Sequence, residues 1–161
     1  MVPERLFVEL VRVVRERLPT PRSDAVLRLA GSYTAAYVAA HRIPGAFRLL
    51  LRGLPRRPAI RLLLAAFRRH AWTFAGSGRF GVVGAYPGTL VLQHCPTCRR
   101  GGGHGRAGAY YEAAFEGLLQ IVDPAIRVRE TRCCSLGDPN CQFTIELRSD
   151  NRPGETSCAS S

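Results

Sequence analysis

The sequence predicts an α+β domain in which N-terminal helices pack on a mainly antiparallel sheet with one inserted helix. Three observations lead there. Helical periodicity fills the first half of the chain, glycine-punctuated strand patterns fill the second, and one apolar helical run interrupts those strands near residues 109–122. Pro3 to Leu18 carries the stripe Leu6, Leu10, Val14, Leu18 with Arg5, Arg12 and Arg15 opposite, an amphipathic helix. Ser23 can cap a second helix with the stripe Val26, Leu29, Ala30, Tyr33, Tyr37 and Ala40, and Pro44 opens a short third. The fourth, from about Pro58 to Phe74, is apolar almost all round at IRLLLAAF, which predicts a helix buried between layers. Gly76, Gly78, Gly81, Gly84 and Gly88 then punctuate two short strands, Phe80–Val83 and Thr89–Leu92, and Cys95–Gly108 reads as a flexible glycine-rich loop. After the helix Ala109–Val122, two strands form a hairpin across Gly137-Asp138-Pro139-Asn140. The domain spans residues 1–148, and the tail 149–161 is too poor in apolar residues to pack, so it reads as disordered.

Bulk composition narrows the function classes. All 23 basic residues are arginine and the net charge is +11. Without lysine, neither Schiff-base chemistry nor a Walker-type phosphate lysine is available. Such charge attracts nucleic acid, anionic membrane or acidic small molecules, but most arginines fall on polar helix faces, so no nucleic-acid partner is expected. The six cysteines are scattered unlike a secreted disulfide scaffold, no apolar signal segment opens the chain, and no apolar run approaches the roughly 20 residues of a transmembrane segment. A reducing cytoplasm is the expected location, with the membrane surface as a peripheral site.

The residues with chemistry lie near the C-terminal hairpin. Ile126, Val128 and Glu130 alternate with charged residues and share one strand face, while Cys141, Phe143, Ile145 and Leu147 share the apolar face of the next strand. Glu130 therefore points inward beside Cys141. A carboxylate there costs several kcal/mol unless a cation compensates it. Zinc accepts carboxylate and thiolate together, which makes Glu130, Cys133 and Cys141 the candidate ligands; buried thiols as ordinary small hydrophobes are the alternative. Cys95 and Cys98, spaced CxxC, could contribute to the same ion with His94 or His104 nearby. Gly76-Ser77-Gly78-Arg79-Phe80-Gly81 spells GxGxxG, but a helix precedes it and a strand follows, the reverse of a dinucleotide site. His41 and His70 sit near helix C-termini, where the dipole accounts for them.

Three segments together carry a resemblance: His70 to Phe80 (HAWTFAGSGRF), Tyr110 to Glu116 (YYEAAFE) and Glu130 to Phe143 (ETRCCSLGDPNCQF). They closely resemble the bacteriochlorophyll 4-vinyl reductase family over roughly residues 58–147. The same small domain occurs in sensory regions of aromatic-responsive activators, and its fold resembles vesicle-tethering subunits. The resemblance implies a ligand pocket between helices and sheet and a homodimer formed through helices. It also implies zinc ligands at Glu130, Cys133 and Cys141 and a fourth, a cysteine just before the Tyr-Tyr helix, where this chain has Gly108. Cys95, Cys98 or His104 could substitute, or a water could complete the set.

The family name implies reduction of the ring B vinyl group of a divinyl magnesium tetrapyrrole in bacteriochlorophyll synthesis. Such a reduction needs a hydride or electron donor, and the sequence shows no NAD fingerprint, flavin site or iron–sulfur spacing. The expected role is therefore to bind a protochlorophyllide-type intermediate and present it to pigment-synthesis enzymes; whether the chain is itself an enzyme stays open. Trp72, Phe74, Phe80 and Tyr110 could face the macrocycle, Arg79 its carboxylates and His70 its magnesium. The alternative is a zinc-containing sensor domain for small aromatic ligands.

Overall fold

A computed structural model describes residues 3–70, 77–99 and 108–147. Its helices are α1 (Glu4–Arg17), α2 (Thr20–His41), α3 (Gly45–Gly53), α4 (Arg56–Arg69), the single turn α5 (Pro96–Arg99) and α6 (Ala109–Leu119). Its strands are β1 (Arg79–Val83), β2 (Thr89–Gln93), β3 (Ile126–Arg132) and β4 (Cys141–Leu147). The α+β expectation holds. The expected tail and the segment 71–76 lie outside the described residues.

Proline sets the first four helix starts. Pro3, Pro19, Pro44 and Pro55 each sit at the N-cap with extended ψ, so the fixed φ of the ring turns the chain into the following helix. This corrects two boundaries. The second helix begins at Thr20 rather than after Ser23, whose buried hydroxyl donates to Thr20 O at 3.0 Å inside the helix. The fourth begins at Arg56.

The faces differ from the expected stripes. In α1, Val8 and Val11 are buried while Leu6 and Leu10 are exposed. In α2, Ser23, Leu27, Gly31 and Ala35 face inward, and Val26, Leu29, Tyr33 and Tyr37 remain exposed. Two apolar faces exist on α2, and the one containing small residues won because it lets α6 approach closely. A Cβ on Gly31 would lie 2.3 Å from Tyr110 O, and one on Gly117 would lie 2.7 Å from the Ala35 Cβ. Hence α6, not α4, is the helix between layers: α4 buries Ala59, Ile60, Leu63, Leu64 and Phe67 but exposes Arg61 and Ala65.

The four strands form one antiparallel sheet in the order β1-β2-β4-β3. As an edge strand, β3 leaves alternate backbone groups unpaired, and α6 covers them. Glu130 N–H donates to Glu112, Val128 N–H donates to Glu116 Oε2 at 2.9 Å, and Gln120 Nε2 donates to Ile126 O at 3.1 Å. The periods match: four residues of helix rise about 6 Å, and two residues of strand about 6.6 Å. Rings of Phe7, Tyr110, Tyr111, Phe115, Phe80 and Phe67 form a continuous chain through the core, with neighbouring centroids 4.8–6.5 Å apart.

Gly31→Ala should force α2 and α6 apart and lower stability by about 1–3 kcal/mol, a drop of several degrees in Tm. Gly53→Ala, whose added Cβ meets nothing within 4 Å, should leave Tm unchanged or slightly raised. Thermal unfolding of both variants checks the pair.

Candidate metal centre

Three turns bring five donor groups to one buried point. At the end of β3 the pairing with β4 becomes irregular between Glu130 and Arg132, and the chain enters a tight knuckle at Cys133. There Asp138 Oδ2 accepts from Cys133 N at 2.8 Å, Leu136 N donates to Cys133 O at 2.9 Å, and Gly137 takes φ 94°, a conformation suited to glycine. Cys134 N–H points at Cys141 Sγ, 3.4 Å away. Opposite, β2 pairs Leu92 with Cys141, so the turn after β2 carries Cys95 and Cys98 to the same place. Here the expected flexible loop is a helical turn at Pro96–Arg99, with Cys98 N bonded to Cys95 O and both thiols buried.

The donors stand at coordination spacing. Four thiolates around one zinc at about 2.3 Å lie roughly 3.8 Å from each other. Cys98 Sγ is 3.4 Å from Cys141 Sγ and 3.8 Å from Cys133 Sγ. Donor atoms of Glu130, Cys133 and Cys141 lie within 4.8 Å of one another, as do those of Cys95, Cys98 and Cys141. Glu130, Cys95, Cys133 and Cys141 are each at most 2% exposed. The chemistry of this set fits a borderline-soft divalent ion.

Electrostatics makes the metal-free cluster a proton-sharing one. Burial, then the neighbouring Cys133 sulfur, pushes the Glu130 carboxyl up to about 8, against the Gly108 N–H, which donates to Glu130 Oε2 at 3.2 Å. Hydrogen bonds from Cys141 and Cys98 hold the Cys95 thiol well below its ordinary range. Hydrogen bonds to Cys133, Cys95 and Cys98 push Cys141 strongly upward. A cation would displace these protons and offset the charges left behind.

The three hairpin residues expected as ligands thus converge, and Cys95 and Cys98 join them. His104 lies outside the described residues, and His94 is exposed on the positive-φ turn before Cys95. The candidate ligand-binding residues do not share one cavity. Trp72 and Phe74 lie outside the described residues; His70 and Arg79 are exposed; Phe80 is half-buried against Phe67 and Phe115. Tyr110, at the far end of the ring chain, donates to Thr34 Oγ1 at 3.1 Å. Sequence reasoning missed Cys134, 3.7 Å from Cys141, and Glu112, whose only signal was its place in the YYEAAFE segment. It also missed a groove of about 430 Å³ lined by Pro55, Arg56, Arg57, Pro58, Tyr86 and Leu147. Leu147 ends the strand that Cys141 begins, so groove and thiols are about 20 Å apart.

Residues 89–147 match the model of the 4-vinyl reductase domain. The chain is 36% identical over 146 residues to the bacteriochlorophyll synthase 23 kDa chain of Cereibacter sphaeroides, covering 90% of this chain and 70% of that protein. The chain belongs to the 4-vinyl reductase domain family. The protein of the same name from Rhodobacter capsulatus is 37% identical over 139 residues, covering 83% of this chain and 64% of that one. The fold is like the phenol-responsive sensory domain of the transcription activator PoxR, at TM-score 0.61 and 13% identity, over 89% of this chain and 74% of that one. It is also like trafficking protein particle complex subunit 3 from Naegleria fowleri, covalently bound to palmitic acid, at TM-score 0.60 and 12% identity, over 91% and 95%.

In this 4-vinyl reductase domain, Gly108 stands where the family resemblance implies a cysteine. A Cβ there would lie 2.4 Å from the Glu130 carboxyl carbon, so the Glu130 side chain already fills that space. Cys98 reaches the cluster from the other side instead. Gly108→Ala should therefore destabilise the metal-free protein by about 1–3 kcal/mol, and the loss should largely vanish in a Glu130→Ala background. Urea denaturation of the double-mutant cycle reads the coupling directly.

Proposed function

We propose that this chain serves bacteriochlorophyll biosynthesis as a metal-braced carrier, binding a divinyl magnesium tetrapyrrole and presenting it to a pigment-synthesis enzyme for reduction of the ring B vinyl group. Family membership supports the pathway; the two relatives are named as chains of a bacteriochlorophyll synthase. The observation that carries the binding role is the groove beside α4. Its volume falls in the range of small-molecule sites, and it combines apolar Pro55, Pro58 and Leu147 with the Tyr86 ring and two arginines. That chemistry suits a flat guest bearing carboxylates. Arg57 lies 5.4 Å from the Tyr86 centroid and is exposed to receive an anion, while Arg56 is paired with Asp123.

The metal braces the fold rather than touching the guest. In this reading one zinc ion is held by Glu130, Cys133, Cys141 and Cys98, with Cys95 as a hydrogen-bonding neighbour. Burial supports a closed structural site, since all four ligands are shielded from solvent. When bound, zinc supplies fixed positive charge that keeps the carboxylate and thiolates together.

The chain acts as a homodimer in this reading. Leu6 and Leu10 of α1 and Val26, Leu29, Tyr33 and Tyr37 of α2 form exposed apolar stripes at helical spacing, suited to a second copy.

Purified protein titrated with divinyl protochlorophyllide should shift the pigment's absorption bands at micromolar concentration, with no such response to phenol. Arg57→Gln should weaken binding about tenfold; loss in Arg79→Gln instead would move the guest beside Phe80. No band shift at all overturns the carrier reading, and turnover by the chain alone with NADPH or reduced ferredoxin replaces it with an enzyme.

Elemental analysis should give one zinc per chain. With cobalt, the thiolate charge-transfer band should have three-thiolate intensity, unchanged in Cys95→Ser. Because Glu130 titrates near 8 and Cys141 higher in the metal-free protein, both bind protons that the ion must displace. Apparent zinc affinity should therefore fall by roughly tenfold or more per unit as pH drops from about 8 to about 6, read by competition with a chelator.

A further inference from the structure

Thirteen arginines and not one Asp or Glu lie between Asp24 and Glu112. The nine-residue helix α3, flanked by α2 and α4, comes from the middle of this stretch. Its inward side carries buried Leu51 and half-buried Phe47 and Leu54. Its outward side carries Leu49 and Leu50, which are 73% and 50% exposed. Helical phase places Leu49 at the centre of that side, with Arg48 and Arg52 along one flank. Exposed Arg42 precedes the helix, and exposed Arg57 and Arg61 follow on α4.

We propose that α3 docks the protein on the surface of an anionic lipid bilayer, with Leu49 and Leu50 entering the interface and the arginines meeting lipid phosphates. Charge selects this occupant. An acid-free basic surface faces a negatively charged plane, where each arginine adds attraction and the leucines add apolar burial. Size argues against a protein on this patch. Two leucines on three turns of helix offer far less than the 1,200 Å² or so of a stable protein interface, whereas a bilayer accepts single protruding side chains. The longer apolar stripes on α1 and α2 are the surface suited to a second copy. The contact is peripheral, since among the described residues no helix is long and apolar enough to cross a membrane.

This docking is independent of the tetrapyrrole reading and is tested without pigment. The full chain is sedimented with vesicles of phosphatidylcholine alone or mixed with phosphatidylglycerol, at low and high salt. We expect binding only to the anionic vesicles, weakened by salt. Leu49→Ser with Leu50→Ser should lower partitioning about tenfold, and Arg52→Glu by a similar factor, with circular dichroism unchanged. Equal sedimentation with neutral vesicles, or wild-type partitioning of the two folded variants, overturns the proposal. So does a leucine variant that changes only the protein's molar mass in solution, which would assign the patch to a second copy. Should the paired leucine variant fail to fold, Arg52→Glu alone decides, because its side chain is exposed and outside the core.

Discussion

A buried carboxylate joins the parts of this domain. Glu130 is held at the start of α6 by the Gly108 N–H, and its own backbone N–H donates to Glu112 on the next turn. Glu112 pairs with Arg28 of α2, while the Glu130 side chain borders the thiols of Cys133 and Cys141. One line of contacts thus runs from the outer helix through α6 to the sheet and the cysteine knuckle. Taking Glu130 out of water costs several kcal/mol, and the surroundings answer with a donor on one side and a potential cation site on the other. Every element touching it is constrained: α6 must begin with a glycine, β3 must break its register, and the turn after β2 must return its cysteines inward.

The charge distribution divides the molecule. Acidic groups gather at the N-terminal helix and from α6 onward, where Glu112 and Glu116 act as backbone acceptors rather than as surface charge. The long interval between is purely basic. The sealed cysteine centre lies at one end of β4 and the arginine-lined groove at the other, so bracing and recognition are spatially separate. A metal in such a centre affects a guest only by keeping the sheet in register.

How much of this was legible depended on how local the cause was. The alternation through Glu130 and from Cys141 to Leu147 marks strand faces by period alone, and the structure keeps both. The metal-ligand trio followed because period, turn and buried charge were all written within one short hairpin. The helix stripes were less reliable: α2 offers two apolar faces, and sequence hydrophobicity favoured the one with tyrosines. Packing chose the other, since only Gly31 and Ala35 admit the backbone of α6. Likewise the CPTC segment looks like an open loop from its glycine-rich neighbours, yet it closes into a turn because β2 delivers it beside Cys141.

By itself the sequence determined what is periodic or covalently local: the α+β class, the helix starts at Pro3 and Pro44, the strand faces, the charge and the candidate ligands of the hairpin. Tertiary structure alone decided which apolar face is interior, that α6 lies between layers, that Cys95 and Cys98 meet the hairpin cysteines, and that Gly108 yields its space to Glu130. The physical reason is range. Periodicity and turn chemistry act over a few residues, whereas close packing and burial of charge depend on surfaces that only the assembled chain brings together.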